Sequence, residues 1–279
     1  MLQVQETVDR ALAEDHAWSD VTTQAVIPFD LQAKASMVAK ASGVLAGTDV
    51  ARMVFNKVDP SLRFDLLIPE GSQVKPGDGI AVVAGRGASI LRAERVALNF
   101  LQRLSGIASE TRRYVEAVRG CNARILDTRK TTPGLRSLEK YAVRVGGGYN
   151  HRAHLGDGIL IKDNHLAVLR SQGLGLRDTI ARARKNAPHT LKVEVEVGTV
   201  DEALEAVEAG ADIVMLDNMS VEEMSRVIGL VKGRALIEAS GGVTLENVRS
   251  VAETGVDLIS IGALTHSVKA LDISLELED

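Results

Sequence analysis

From Cys121 onward, six short apolar runs recur, separated by stretches long enough for a helix: Arg124 to Leu126, Gly158 to Ile161, Val193 to Val197, Ile213 to Leu216, Ala235 to Ile237 and Leu258 to Ile261. Parallel strands can be joined only by a long crossover, so this alternation predicts a parallel α/β sheet. Ala203, Leu204 and Val207 outline one connecting helix, and Ala209-Gly210 marks its stop.

The residues at the carboxyl end of each run narrow the architecture. The first run leads into Asp127-Thr128-Arg129-Lys130, the second into Lys162-Asp163-Asn164-His165 and the fourth into Asp217-Asn218. The third ends in Glu194-Val195-Glu196, the fifth in Ala239-Ser240-Gly241-Gly242 and the sixth in Gly262-Ala263. An open doubly wound sheet gathers ligand residues at one switch point, whereas a barrel brings every carboxyl-end loop to one mouth. Polar residues at all six ends favour a barrel, incomplete because six strands are fewer than the usual eight.

The first hundred residues read differently. Helical spacing runs from about Gln5 to Leu12, and Asp20-Val21-Thr22-Thr23 offers a turn or cap. Gln32, Lys34 and Ser36 alternate with Ala33, Ala35 and Met37, as in a strand with one buried face. Turn chemistry from Glu70 to Asp78 separates predicted strands at Arg63 to Ile68 and Ile80 to Ala84. From Ser89, Ala93, Val96, Ala97, Phe100, Leu101 and Leu104 repeat with helical spacing. The expected division is an α+β domain over 1–104, joined by 267–279, and an α/β barrel over 105–266.

Composition removes several functional classes. A net charge of -4 argues against a broadly basic nucleic-acid surface, and 3% aromatic residues leave few platforms for stacking bases. The single cysteine, Cys121, excludes an intramolecular disulfide, and no Cys/His spacing suggests zinc; a reducing cytoplasm is the expected location. The longest stretch free of charged residues, Leu258 to Val268, is too short to span a bilayer, and the N-terminus lacks a secretory layout.

Arg129, Lys130, His151, Arg152 and Lys162 place up to five cationic groups on two adjoining strand ends and the loop between them. That concentration suits a polyanion, which arginine grips bidentately. Lys162 directly follows an apolar run, so its ammonium needs a partner. Glu196 and Asp217 end neighbouring strands, where they can offer oxygen to a metal-bound sugar or stabilise positive charge, although carboxylates there also cap helices. Glu194 shares a strand face with Glu196 and can share the site or hold a cation in place. Ser240-Gly241-Gly242 and Gly262-Ala263 occupy the ends where barrels often hold phosphate. Gly146-Gly147-Gly148 either lets the next loop approach a ligand or is a plain linker. His165 and His266 lie near strand ends, with structural hydrogen bonding as good a reading as function.

These residues resemble a known family over nearly the whole chain. Asp127-Thr128-Arg129-Lys130-Thr131-Thr132-Pro133-Gly134-Leu135-Arg136 and Glu139-Lys140-Tyr141-Ala142-Val143 are similar to the quinolinate phosphoribosyltransferase signature. So are Gly146 to Arg152, Leu160 to His165, Glu194-Val195-Glu196, Met215 to Asn218, Ser240-Gly241-Gly242 and Gly262 to Ser267. Tyr149 stands where a smaller residue is expected, and Ser19 where glycine is more familiar.

The resemblance implies an N-terminal open-faced sandwich, an incomplete six-stranded barrel and a homodimer, or an assembly of dimers, with each active site between one barrel and the partner's N-terminal domain. It implies transfer from phosphoribosyl pyrophosphate to quinolinate with decarboxylation, in de novo NAD biosynthesis, with Mg2+ and no organic cofactor. By motif, Arg129, His151, Arg152 and Lys162 would hold quinolinate, with Arg95 reaching in from the partner subunit. Lys130, Glu196, Asp217, Ser240, Gly241, Gly242, Gly262, Ala263 and His266 would serve phosphoribosyl pyrophosphate; Lys130, Lys162, Glu196 and Asp217 would be catalytic, and Glu196 and Asp217 would face the metal. A related protein of molybdenum uptake is disfavoured by the intact Ile161-Lys162-Asp163-Asn164-His165. A nicotinate phosphoribosyltransferase would need no grip on a second carboxylate. Retention of Lys162, Glu196 and Asp217 argues against a non-catalytic anion-binding scaffold.

Overall fold

The structure, a computed structural model, describes residues 2–278. Its strands, in chain order, are β1 (Gln32–Ala39), β2 (Gly43–Val44), β3 (Arg63–Leu66), β4 (Gln73–Val74), β5 (Gly79–Arg86), β6 (Arg124–Leu126), β7 (Ile159–Ile161), β8 (Val193–Val197), β9 (Ile213–Asp217), β10 (Leu236–Ser240), β11 (Leu258–Ser260) and β12 (Ile273–Leu277). They fall in two compact units. One runs up to Arg112 and takes in Thr131–Gly147 and the segment from Ala263 onward; the other comprises Arg113–Lys130 and Gly148–Gly262.

The first unit is built on a four-stranded antiparallel sheet in the order β12-β1-β5-β3. Ala35, Met37 and Ala39 of β1 turn inward while Gln32 and Lys34 stay wet, the alternation expected of a sheet with one solvated face. The N-terminal helix, Leu2–Glu14, extends beyond the predicted span at both ends and buries Val8 and Leu12. Asp20 caps the helix Val21–Val26 by accepting the Thr23 N–H at 3.0 Å, and hydrogen bonds from the Thr23 side chain and backbone hold its carboxyl below the usual range. The helix predicted from Ser89 is Gly87–Ala117 and passes residues 104 and 105 unbroken.

Within this unit, the Glu139 to Val143 motif lies on the helix Arg136–Val145 and makes long-range bonds. Glu139, fully buried, accepts from Arg103 Nη2 at 2.8 Å and from Thr132 N at 3.0 Å. Tyr141 donates to Glu70 at 2.8 Å. Gly146 is a close-approach position: a Cβ there would sit 2.5 Å from Ala108 O. Its glycine therefore serves helix packing rather than proximity to a ligand.

The second unit carries a six-stranded parallel sheet in the order β6-β11-β10-β9-β8-β7. Taken as a ring, this is sequential pairing in which the sixth strand has closed onto the first, leaving only the β6–β7 link unmade. That is the order of an incomplete barrel rather than of a sheet reversing at a switch point. Tyr149 extends the β6 edge, its N–H donating to Ile125 O at 2.8 Å and its carbonyl accepting from Asp127 N at 3.2 Å. Its ring is exposed beneath the Arg124 guanidinium, 5.1 Å from the centroid, so its bulk is accommodated outside the barrel interior.

The strands alternate apolar-out and polar-in. Val195, Val214, Leu216, Ile237 and Ala239 are buried on the sheet's helix-covered side, while Glu194, Glu196, Asp217, Glu238 and Ser240 point into the barrel. This explains two differences from the predicted spans. The fourth and fifth strands continue to Asp217 and Ser240, because inward polar residues end an apolar run without ending the strand. The helix Val200–Glu208 stops as predicted, with Gly210 at φ 87°. Among the described residues no helix is long and apolar enough to cross a membrane.

Candidate active site

The carboxyl ends of β6 to β10 converge on a cavity of about 650 Å³ lined wholly by the second unit. It brings together ten of the residues singled out from sequence: Arg129, Lys130, His151, Arg152, Lys162, Glu196, Asp217, Ser240, Gly241 and Gly242. Gly262, Ala263 and His266 are not among its lining residues. Ala263 and His266 bound a short helix, and His266 Nδ1 lies 2.6 Å from Ser267 Oγ. Arg95 is exposed on the helix Gly87–Ala117 in the first unit, 3.9 Å from Glu94.

Local structure explains how each group arrives. Asp127, fully buried at the end of β6, accepts His151 N at 2.9 Å and Asn150 Nδ2 at 2.6 Å, fixing the loop that carries His151 and Arg152. Lys130 N donates to Thr128 Oγ1 at 3.0 Å, closing the turn that directs Arg129 and Lys130 toward the mouth. Lys162 sits between β7 and the helix Asp163–Arg170; its N–H donates to His165 Nδ1 at 2.9 Å, a structural role for that histidine. The Lys162 ammonium is paired with Glu196 across the neighbouring strand end. Asn218 adopts φ 54° and donates to Asp217 Oδ2 at 3.0 Å. A Cβ on Gly241, at φ 84°, would overlap the Asn218 amide, so this turn requires glycine for both its dihedral and its space.

The electrostatics are asymmetric. Burial and the neighbouring Arg129 charge lower the Arg152 pKa, with Glu194 acting in the opposite sense. Two half-buried guanidiniums thus share one wall. Below them lie Glu194 and Glu238, with His151 Nε2 at 3.2 Å from Glu194 Oε2 and 3.5 Å from Glu238 Oε1. Burial, then the Glu194 charge, pushes Glu238 up to about 7. A second cavity of about 280 Å³ shares the His151 and Arg152 wall and reaches Glu194, Glu238 and Asp157.

Asp127, Asn218, Glu238 and Ser260 contribute to this region although sequence reasoning gave them no site role. Glu238 carried a usable signal: it lies two residues before Ser240, hence on the same strand face. Glu196 and Asp217 present hard carboxylate oxygens to the larger cavity. A magnesium ion that keeps water and substrate oxygens needs only one or two such protein ligands, so the donor set fits one carried in with a phosphorylated substrate.

An α/β barrel whose mouth sets clustered arginine and lysine against two carboxylates defines an enzyme acting on a polyanionic small molecule. The sequence profile of the quinolinate phosphoribosyl transferase C-terminal domain matches residues 107–276, and that of the N-terminal domain residues 20–105. A probable nicotinate-nucleotide pyrophosphorylase (carboxylating) from Bacillus subtilis is 42% identical, covering 99% of this chain and 94% of its own. A nicotinate-nucleotide pyrophosphorylase (carboxylating) from Mycobacterium leprae is 43% identical, covering 98% and 96%. The crystal structure of NadC from Streptococcus pyogenes superposes with a TM-score of 0.93 at 45% identity, covering 99% of this chain and 98% of that one. The chain belongs to the quinolinate phosphoribosyltransferase family.

Proposed function

We propose that the cavity joins quinolinate to phosphoribosyl pyrophosphate and releases carbon dioxide, giving nicotinate mononucleotide and pyrophosphate. The observation that carries this reading is the Arg129–Arg152 wall, where a second guanidinium and burial both disfavour the charged form of Arg152. A dianion relieves both, and bidentate pairing suits two carboxylates. Lys162 extends the cationic wall, and His151 lies between the arginines and the barrel interior. Arg95 of a partner subunit completes the dicarboxylate site in a cytoplasmic homodimer, with the N-terminal domain as 1–104 joined by 267–279 and the barrel as 105–266.

Glu196 and Asp217 face the sugar from the opposite side. The quinolinate ring nitrogen bonds to the anomeric carbon as the bond to pyrophosphate breaks, and the two carboxylates stabilise the oxocarbenium character that develops. Lys130 meets the departing phosphates, and Ser240, Gly241 and Gly242, together with Gly262, Ala263 and His266, receive the sugar phosphate. Bound magnesium would supply charge neutralisation of the pyrophosphate, with Glu196 and Asp217 as its protein partners. The ring nitrogen is then cationic. It accepts the electron pair left when the adjacent carboxylate departs as carbon dioxide, and that ring carbon takes up a proton. The protein's cations orient the acid for both steps.

Incubation with quinolinate, phosphoribosyl pyrophosphate and Mg2+, followed by mass spectrometry, tests the reading. Nicotinate mononucleotide, pyrophosphate and carbon dioxide are expected in equal amounts, with nicotinate a poor substitute. Efficient use of nicotinate and none of quinolinate would overturn it.

A further inference from the structure

The barrel interior beneath the larger cavity holds a histidine and two glutamates that the proposed chemistry does not consume. Side-chain exposure is 11% for His151, 7% for Glu194 and 1% for Glu238. His151 is held at both ring nitrogens. Nδ1 accepts the Arg152 backbone N–H at 2.8 Å, so that nitrogen carries a lone pair and no proton. The ring proton is therefore on Nε2, which faces Glu194 and Glu238. A doubly protonated ring would set an N–H against the Arg152 N–H.

The same geometry decides between a proton and a metal ion. His151, Glu194 and Glu238 offer ligand atoms within 4.8 Å of one another, a spacing that a divalent cation can use. Ligation through Nε2 requires its lone pair and moves the proton to Nδ1, where the Arg152 amide already donates. Two ionised, buried glutamates facing a neutral ring would repel, so a proton on the pair is the arrangement that balances the charge.

We infer that Glu238 is a positioning residue: with Glu194 it holds the Nε2–H of a neutral His151, which fixes the Arg152 backbone at the cavity wall. His151 is then not one of the charges that meet a dicarboxylate; Arg129, Arg152 and Lys162 supply them. This deepens the proposed quinolinate site and rests on that reading. The groups facing Glu238 are Glu194 from β8, His151 from the loop after β6, Ser260 from β11 and, at longer range, Lys162 after β7. Burial and the Glu194 charge favour its protonated form.

Two measurements on the full-length protein test the inference. Histidine ¹⁵N NMR of the ligand-free enzyme reads the tautomer directly, and His151 is expected to stay neutral with its proton on Nε2 from pH 6 to 8. An imidazolium signal, or a proton on Nδ1, would overturn the inference without reference to turnover. Calorimetry with quinolinate across pH then compares wild type with Glu238→Gln, which keeps the shape of the side chain and cannot ionise. Wild-type affinity is expected to fall at least threefold between pH 6.5 and 8.5, while Glu238→Gln holds its affinity within about twofold. Identical pH profiles would remove Glu238 from the role, as would tight Zn2+ binding to wild type that is lost in Glu238→Gln. Failure of the wild type to bind quinolinate at any pH would instead sink the functional reading and leave the tautomer result standing.

Discussion

Replacing Glu238 by glutamine removes one ionisation from the barrel interior while keeping the side chain's shape. Burial and the Glu194 charge push the carboxyl from 4.5 up to about 7 in the folded chain, and unfolding returns it to the ordinary range. The folded state therefore binds this proton more tightly than the unfolded state. The resulting stability is fully present below about pH 4.5 and is lost as pH rises through about 7. A rise from 4.5 to about 7 corresponds to about 3 kcal/mol between the two limits. Urea unfolding of both proteins from about pH 5 to about pH 8 isolates the effect, since all other carboxylates are shared. Relative to wild type, Glu238→Gln should gain roughly 2–3 kcal/mol across that range. Parallel stability profiles would show that Glu238 does not hold a proton in the folded barrel, and the charge argument would fail.

Glu139→Ala should destabilise the protein by roughly 3–5 kcal/mol, because it leaves the Arg103 guanidinium and the Thr132 N–H without a fully buried acceptor; a urea midpoint within error of wild type would contradict this. Gly241→Ala should cost about 1–3 kcal/mol from the φ of 84° and the crowding against Asn218, and should raise KM for phosphoribosyl pyrophosphate more than KM for quinolinate; equal changes in the two would count against phosphate binding at this turn. Arg95→Ala and Lys162→Ala homodimers should each be nearly inactive, yet subunit mixing should restore roughly a quarter of wild-type activity, since half the dimers are mixed and each carries one intact site. Mass-tagged subunits establish exchange, and confirmed mixed dimers with no recovered activity would show that Arg95 does not act across subunits.

The barrel was legible because its local signals agree. Val193–Val197 reads as alternating valine and glutamate, and the pleat turns that alternation directly into a wall and a lumen. The cavity residues were legible for a related reason: a barrel converts position just after a strand into spatial convergence, so Arg129, Lys162, Glu196 and Asp217 meet although 88 residues separate the first from the last. Glu238 was obscured because a charge inside Ile237-Glu238-Ala239 looks like the end of a strand, whereas a polar lumen lets the strand continue. The roles of Glu139, Tyr141 and Gly146 depend on Arg103, Glu70 and Ala108, partners that no local pattern connects to them. Asp127 was visible as a strand-end carboxylate, but its task of holding the His151 loop required a partner 24 residues away.

The dicarboxylate site is tested most directly by steady-state kinetics of Arg152→Ala with each substrate varied in turn. Loss of a charge-assisted contact of roughly 1.5–3 kcal/mol should raise KM for quinolinate by about 10- to 150-fold, while KM for phosphoribosyl pyrophosphate should move less than about threefold. A folded Arg152→Ala enzyme with wild-type KM for quinolinate would contradict the assignment of the Arg129–Arg152 wall as the grip on the two carboxylates.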